Sequence, residues 1–191
     1  NKRFPNTILL HGGTGMGKTT TARMLARYIN CATGDACGTC PSCRAGDASP
    51  DIVEMNMAET RGIDDIRNLI GKSKLAPRFN QRIFILDELH QLTTQAKEAM
   101  LKPLEEPAKR TMWILCTTNP EKLPKTIIGR CQQIAVEAPT VKEMVQFLIG
   151  ICKQGGIKIT KEDDLPILKH IAERSMGHSR NALQILETYI A

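Results

Sequence analysis

Residues Gly12 to Thr19 read GGTGMGKT and fit G-x-x-x-x-G-K-[ST] at every fixed position. No other feature of the chain limits its fold so narrowly. The pattern needs an apolar strand leading in and a helix leading out, and both are present. TILLH (Thr7–His11) precedes it, and Ala22, Leu25, Ala26 and Ile29 follow at helical spacing. Glycines let backbone N–H groups close around phosphate oxygens, and a helix N-terminus adds partial positive charge. Lys18 has the reach for β- and γ-phosphates, and the Thr19 hydroxyl can coordinate Mg²⁺. The expected phosphate cradle is Gly12, Gly13, Thr14, Gly15, Met16, Gly17, Lys18, Thr19 and Thr20. The competing reading is a glycine-rich strand–helix turn with no ligand.

Four more apolar runs follow: DIVEM (Asp51–Met55), RIFILD (Arg82–Asp87), MWILC (Met112–Cys116) and QIAVE (Gln133–Glu137). They are continuous and aliphatic, as strands covered on both faces are. Ile63, Ile66, Leu69 and Ile70 form a second helical stripe. Ala96, Ala99 and Met100 form a third, capped by Thr93 or Thr94 and expected to end or kink at Pro103. Strands alternating with helices predict an α/β fold with a parallel five-stranded sheet.

From Ala138 the pattern becomes helical throughout. Thr140 and Glu143 form a capping box, ahead of an apolar stripe of Val141, Met144, Val145, Leu148 and Ile149. A second helix is expected from about Glu162 to Met176, stopped by Gly177, and a third from near Ser179 with Ala182, Leu183 and Leu186 inward. The expected division is an α/β domain over 1–138 and a small all-helical domain over 139–191.

The run IFILDE ends a buried strand in two acids. Asp87 is placed to hold magnesium's water shell, and Glu88 to orient or deprotonate an attacking water. An acidic strand end without a role is the alternative; beside the phosphate loop, hydrolysis is the stronger reading.

Four of seven cysteines lie within thirteen positions, as Cys31-x5-Cys37-x2-Cys40-x2-Cys43. Clustered cysteines without an export signal point to metal rather than disulfides. Four thiolates on short loops suit tetrahedral Zn²⁺, and with no open position the metal is structural. An iron–sulfur cluster is the rival. Cys116, Cys131 and Cys152 read as core or incidental, and the four histidines show no ligand spacing. Net charge is +6, but the basic residues are scattered, so charge alone points only weakly to nucleic acid. No apolar run approaches a membrane span, so a soluble, cytoplasmic protein is expected.

Several stretches carry a resemblance: GMGKTTTARMLARYINC, the cysteine cluster, LDELHQLTTQAKEAMLKPLEEP, TTNPEKLPKTIIGRCQQI and GHSRNALQI. Together they resemble the AAA+ ATPases, and among these the bacterial DNA polymerase III clamp-loader ATPases of gamma/tau type, over nearly the whole chain. The resemblance implies a P-loop AAA+ domain with a zinc-binding insertion (31–43) and a helical lid. It implies ATP, Mg²⁺ and structural Zn²⁺. The implied partners are other clamp-loader subunits, the sliding clamp and primer–template DNA, with no membrane. It makes Thr118, with Asn119, a sensor of the γ-phosphate. Arg180 becomes the lid arginine that reports on nucleotide, and Arg130 a finger reaching a neighbouring subunit's ATP. Without the resemblance, Arg130 reads as a solvated surface residue. Gly129 stands where the family usually has serine. The resemblance places the zinc module as a docking surface for partner subunits. Because the family has a further N-terminal segment and a C-terminal ring-forming domain, this piece alone is expected to bind nucleotide weakly, hydrolyse it slowly and stay mostly monomeric, joining a hetero-oligomer when full length. A Holliday-junction-type motor and a non-hydrolysing nucleotide-binding scaffold are the alternatives.

Overall fold

A computed structural model describes residues 4–160 and 164–190. Five strands form one parallel sheet: β1 (Thr7–His11), β2 (Ile52–Asn56), β3 (Arg82–Asp87), β4 (Thr111–Thr117) and β5 (Gln132–Ala135). Their order is β2-β3-β4-β1-β5. Register sets Leu9 against Leu115 and Leu86 against Leu115 in the neighbouring pairs, so the strand ends carrying the site are level.

The aliphatic runs explain the centre of the sheet. Every residue of β4 is buried, and Ile83 to Leu86 of β3 are fully buried. Trp113 stacks on Phe84, ring centroids 4.5 Å apart. The fifth strand departs from the expectation of cover on both faces: all four of its residues are exposed, Ile134 at 41%. It is an edge strand paired to β1, a position that a short apolar run cannot announce.

Helix α1 (Lys18–Asn30) leaves the glycine-rich loop and buries Ala22, Ala26 and Ile29, with Leu25 half-buried. Helix α2 (Pro41–Ala45) is short and capped by Cys40. Helix α3 (Ile63–Ser73) buries Ile66 and Leu69 and opens with Asp64 and Asp65, which favour its positive end. Thr93 caps α4 (Thr94–Glu105), its hydroxyl accepting from the Ala96 N–H at 3.3 Å. This helix does not stop at Pro103 but continues two residues beyond it. Proline there removes one backbone donor within the last turn, where little helix remains to be disrupted. Helix α5 (Lys125–Ile128) is a single turn.

Two compact units result. One runs through Gly12 and from Lys18 to Ala135; the other comprises Gly13–Gly17 and the chain from Val136. The second contains α6 (Val141–Gln154), α7 (Asp164–Arg174) and α8 (Ser179–Ile190). The Thr140–Glu143 capping box is formed in both directions. Met144, Leu148, Cys152, Leu168, Ile171, Ala172, Ala182 and Leu186 are the buried core of this unit. Val141, expected in the stripe, is 40% exposed at the first helical position. The expected start of the second helix at Glu162 lies outside the described residues, and its end falls at Arg174. The next residues turn through Gly177, whose φ is +79° and where a Cβ would meet the Ala138 Cβ at 2.6 Å, so glycine is required.

Asp51 shows how the sheet edge is held. It is fully buried just before β2 and accepts the N–H groups of Arg78 (2.9 Å) and Phe79 (2.6 Å), with the Arg82 guanidinium at 3.5 Å. Asp51→Ala leaves those donors without their acceptor. It is expected to lower stability by about 3 kcal/mol in urea unfolding. A loss under 1 kcal/mol would mean that water replaces the carboxylate.

Candidate functional site

Within the first unit, β1 ends at His11 and α1 begins at Lys18, which is buried; its Nζ donates to the Gly12 carbonyl at 3.0 Å. One residue on, the Thr19 hydroxyl donates to Asp87 Oδ2 at 2.5 Å. The two groups expected to hold magnesium are thus adjacent, although 68 residues apart in sequence. Thr20 faces solvent. Asp87 Oδ1 accepts the Glu88 N–H at 2.8 Å, and Glu88 takes a left-handed backbone, φ +51° and ψ +44°. A non-glycine residue held there stores roughly 1–2 kcal/mol of strain and re-aims its side chain. Thr118 donates to Glu88 Oε2 at 3.0 Å and lies 3.0 Å from Asn119 Oδ1, so the expected sensor touches the expected base directly.

Within the second unit, the Gly13 N–H meets the Met16 sulfur at 3.1 Å. The Thr14 and Gly15 carbonyls are held by His178 Nδ1 (2.6 Å) and the Ser179 N–H (3.2 Å). Gly15, at φ +72°, needs its missing side chain, since a Cβ would lie 3.3 Å from His178 Nδ1. Arg180 is exposed at the start of α8.

Arg130, 29% exposed, lies in the first unit after α5. Its Nε and Nη2 donate to Glu105 Oε2 at 3.0 and 2.7 Å, and Nη1 donates to the Thr126 carbonyl at 2.8 Å. Gly129 closes α5 in ordinary helical geometry, φ −67°. Nothing in its backbone demands glycine, though a Cβ would meet the Lys125 carbonyl at 3.3 Å.

The four clustered cysteines converge: their sulfurs all lie within 4.8 Å of one another. A zinc–sulfur bond of about 2.3 Å puts the corners of a tetrahedron about 3.8 Å apart, so the set fits a ZnS₄ centre with modest contraction. Each backbone N–H of Cys37, Cys40 and Cys43 points at the sulfur of the preceding cysteine of the set at 3.4 Å, which favours thiolates. The Thr33 hydroxyl, then the Cys37 N–H, lower Cys31 to about 5. The Thr39 hydroxyl, then the Cys40 N–H, lower Cys37 to about 7. The Gly38 amide alone would lower Cys43, but burial and three crowded sulfurs push it up to about 12. Such crowding is what a divalent cation relieves. By contrast, burial raises Cys116 to about 12 and Cys131 to about 11, which keeps these as protonated core thiols.

Sequence spacing missed two residues beside the site. His90 lies against Glu88 and Thr117, and Glu105 lies against Arg130. Only the position of His90, two residues past the acidic pair, hinted at its place.

A parallel sheet in the order β2-β3-β4-β1-β5, with the phosphate-loop pattern leaving β1 and an acidic pair leaving β3, defines a P-loop α/β fold of AAA+ type. Solved structures share it. The chain superposes on the RuvB Holliday junction branch migration motor of Thermotoga maritima with a TM-score of 0.71 at 19% identity, covering 95% of this chain and 53% of that one. It superposes on a DNA polymerase III gamma subunit-related protein of the same organism at 0.56 and 23%, covering 78% and 48%. At these identities the likeness shows the fold alone. Sequence goes further: the family model described as DNA polymerase III, delta subunit, matches residues 1–140, and the chain belongs to this family. Curated relatives similar to it over essentially its whole length are named gamma/tau. The DNA polymerase III subunit gamma/tau of Mycoplasma genitalium is 37% identical over 97% of this chain and 31% of the relative. The tau subunit of Bacillus subtilis is 33% identical over 100% and 34%, and that of Escherichia coli 33% over 99% and 30%. The chain spans about a third of the length of these relatives. No described helix is long and apolar enough to cross a membrane.

Proposed function

We propose that the chain is the nucleotide-hydrolysing part of a clamp-loader ATPase subunit of gamma/tau type, which uses ATP to place a sliding clamp on primed DNA. The observation that carries this reading is the hydrogen bond between Thr19, at the end of the phosphate-loop pattern, and Asp87, at the end of β3. Gly12 to Gly17 offer backbone N–H groups to the β- and γ-phosphates. Lys18 exchanges the Gly12 carbonyl for phosphate oxygen. Thr19 and Asp87 would hold magnesium, which when bound neutralises phosphate charge. Glu88 accepts a proton from the attacking water, and Thr118 with Asn119 senses the γ-phosphate. Arg180 and the helices from Val136 act as a lid, while Arg130 serves the ATP of a neighbouring subunit. The 31–43 module carries structural zinc and is a docking surface for the other subunits. The partners are those subunits, the sliding clamp and primer–template DNA.

The fold likeness to RuvB favours a branch-migration motor as a second reading, but it rests on 19% identity, against 33–37% to gamma/tau relatives. The deciding experiment is ATP turnover by the full-length polypeptide assembled with its neighbours. Stimulation by clamp and primed DNA is expected; stimulation by four-way junctions alone would favour the second reading. In calorimetry, Lys18→Ala is expected to weaken Mg·ATP binding by about 10- to 150-fold, the worth of one charged hydrogen bond. Unchanged affinity would remove Lys18 from the phosphate site.

A further inference from the structure

His90 is a buried histidine on the short helical turn Leu89–Gln91, its side chain 6% exposed. Its surroundings are specific. Gln91 Nε2 lies 3.1 Å from His90 Nε2; the amide N–H donates, so that ring nitrogen accepts. With Nε2 accepting, Nδ1 is the ring nitrogen left to carry a proton. Nδ1 hydrogen-bonds with Thr117 Oγ1 at 3.1 Å and lies 3.2 Å from Glu88 Oε2. The Thr117 hydroxyl also accepts the Asn119 N–H at 3.1 Å, which ties the ring to the end of β4. From α4, Lys97 Nζ donates to the His90 carbonyl at 2.9 Å and pins the turn itself.

The consequence lies at Glu88. Oε2 accepts the Thr118 hydroxyl at 3.0 Å, and His90 Nδ1 lies against it at 3.2 Å. Oε1 has no hydrogen-bond partner among the described residues. A carboxylate with one oxygen clamped and the other open has a fixed direction along which it can take a proton from water. The left-handed backbone of Glu88 aims the side chain, and the imidazole holds it there.

We propose that His90 is the positioning residue for the Glu88 carboxylate, its Nδ1 edge, tied to Thr117, packed against Oε2 so that Oε1 faces the attacking water. This rests on the reading of Glu88 as the hydrolytic base. Acting through Glu88, His90 bears on turnover and not on ATP binding.

The test is ATP turnover and Mg·ATP affinity of the full-length polypeptide, assembled with its neighbours, in four forms: wild type, Glu88→Gln, His90→Leu and the double variant. Glu88→Gln is expected to lower kcat by about 10²–10⁴-fold. His90→Leu is expected to lower kcat by about 10- to 100-fold at unchanged affinity, and to add nothing in the Glu88→Gln background, because it acts through Glu88. His90→Asn, whose amide can occupy the Nδ1 position, is expected to restore kcat to within about threefold. His90→Gln, whose amide reaches the Nε2 position instead, is not. If Glu88→Gln turns over at the wild-type rate, the base assignment falls and the inference with it. If Glu88→Gln loses turnover but His90→Leu does not, or lowers it equally in both backgrounds, the base assignment stands and only the inference falls. Should His90→Leu not fold, ¹⁵N spectra of the wild-type imidazole decide: a protonated Nδ1 that shifts in Glu88→Gln is expected, and a proton on Nε2 overturns the clamp.

Discussion

Serine in place of Cys40 is expected to remove stoichiometric zinc from the protein and to unfold residues 31–45 while the sheet stays intact. Zinc in a four-thiolate site contributes an apparent ~10–16 kcal/mol of binding free energy at pH 7, and in small modules that is folding free energy. Little else holds this module. Among its residues only Cys31 and Ser42 are buried, and α2 is five residues long. The sheet does not depend on it. The end of α1 is fastened separately: Asn30 exchanges two hydrogen bonds with the Gln81 backbone, at 2.8 and 2.9 Å, and Asn80 Nδ2 donates to the Ile29 carbonyl at 2.9 Å. Cys40 is the informative position because it also caps α2, and serine is a good cap. The substitution therefore removes the sulfur ligand and spares the helix start. One zinc per wild-type chain, and loss of amide-exchange protection confined to 31–45 in Cys40→Ser, are expected. Iron with labile sulfide would replace zinc by the rival centre, and full protection in zinc-free protein would show that the module folds without metal.

The meeting of the four cysteines was legible in their spacing: four thiols within thirteen positions have few other uses, and their sulfurs lie within 4.8 Å of one another. The central strands were legible for a similar reason. A strand buried on both faces must be apolar at every position, and TILLH and RIFILD have the same bounds in sequence and structure. The edges were not. QIAVE looks like the rest, yet β5 is exposed, because edge position depends on which strands lack a second neighbour. An end or a kink was expected at Pro103, but α4 runs on to Glu105, because proline costs a helix less near its end than in its middle.

At the site, the residues that could be read were those fixed by local chemistry: glycines at a turn, a lysine and a threonine at a helix start, two acids at a strand end. The residues that could not be read act through tertiary pairing. His90 matters because Thr117, 27 residues away, ends the neighbouring strand beside it. Glu105 matters because α4 ends where Arg130 begins its loop, 25 residues on. No periodicity encodes either meeting. The left-handed backbone of Glu88 is equally silent in sequence, since glutamate gives no sign of positive φ.

Arg130→Ala is expected to lower ATP turnover of the assembled complex by about 10³–10⁵-fold while the altered subunit binds its own nucleotide as before. That range corresponds to ~4–7 kcal/mol of transition-state stabilisation, supplied to the neighbour's site. The geometry suits such a role. Three of the five guanidinium N–H groups are engaged, two by Glu105 and one by the Thr126 carbonyl, which leaves two to meet a phosphoryl group. An arginine held in this way loses less freedom on reaching its target than a free surface side chain does. Stability should not confuse the result. Glu105 is 60% exposed, so the pair is worth at most about 1 kcal/mol to the fold. Arg130→Lys is not expected to rescue, because an ammonium cannot keep the Glu105 and Thr126 bonds and also reach phosphate. Complexes mixed from wild-type and Arg130→Ala subunits give the decisive readout. If the finger acts in trans, turnover is lost at the site facing the altered subunit, and the altered subunit's own site still fires beside a wild-type neighbour. Loss at its own site instead, or a fall of only about twofold throughout, would return Arg130 to the surface ion pair that its exposure alone suggests.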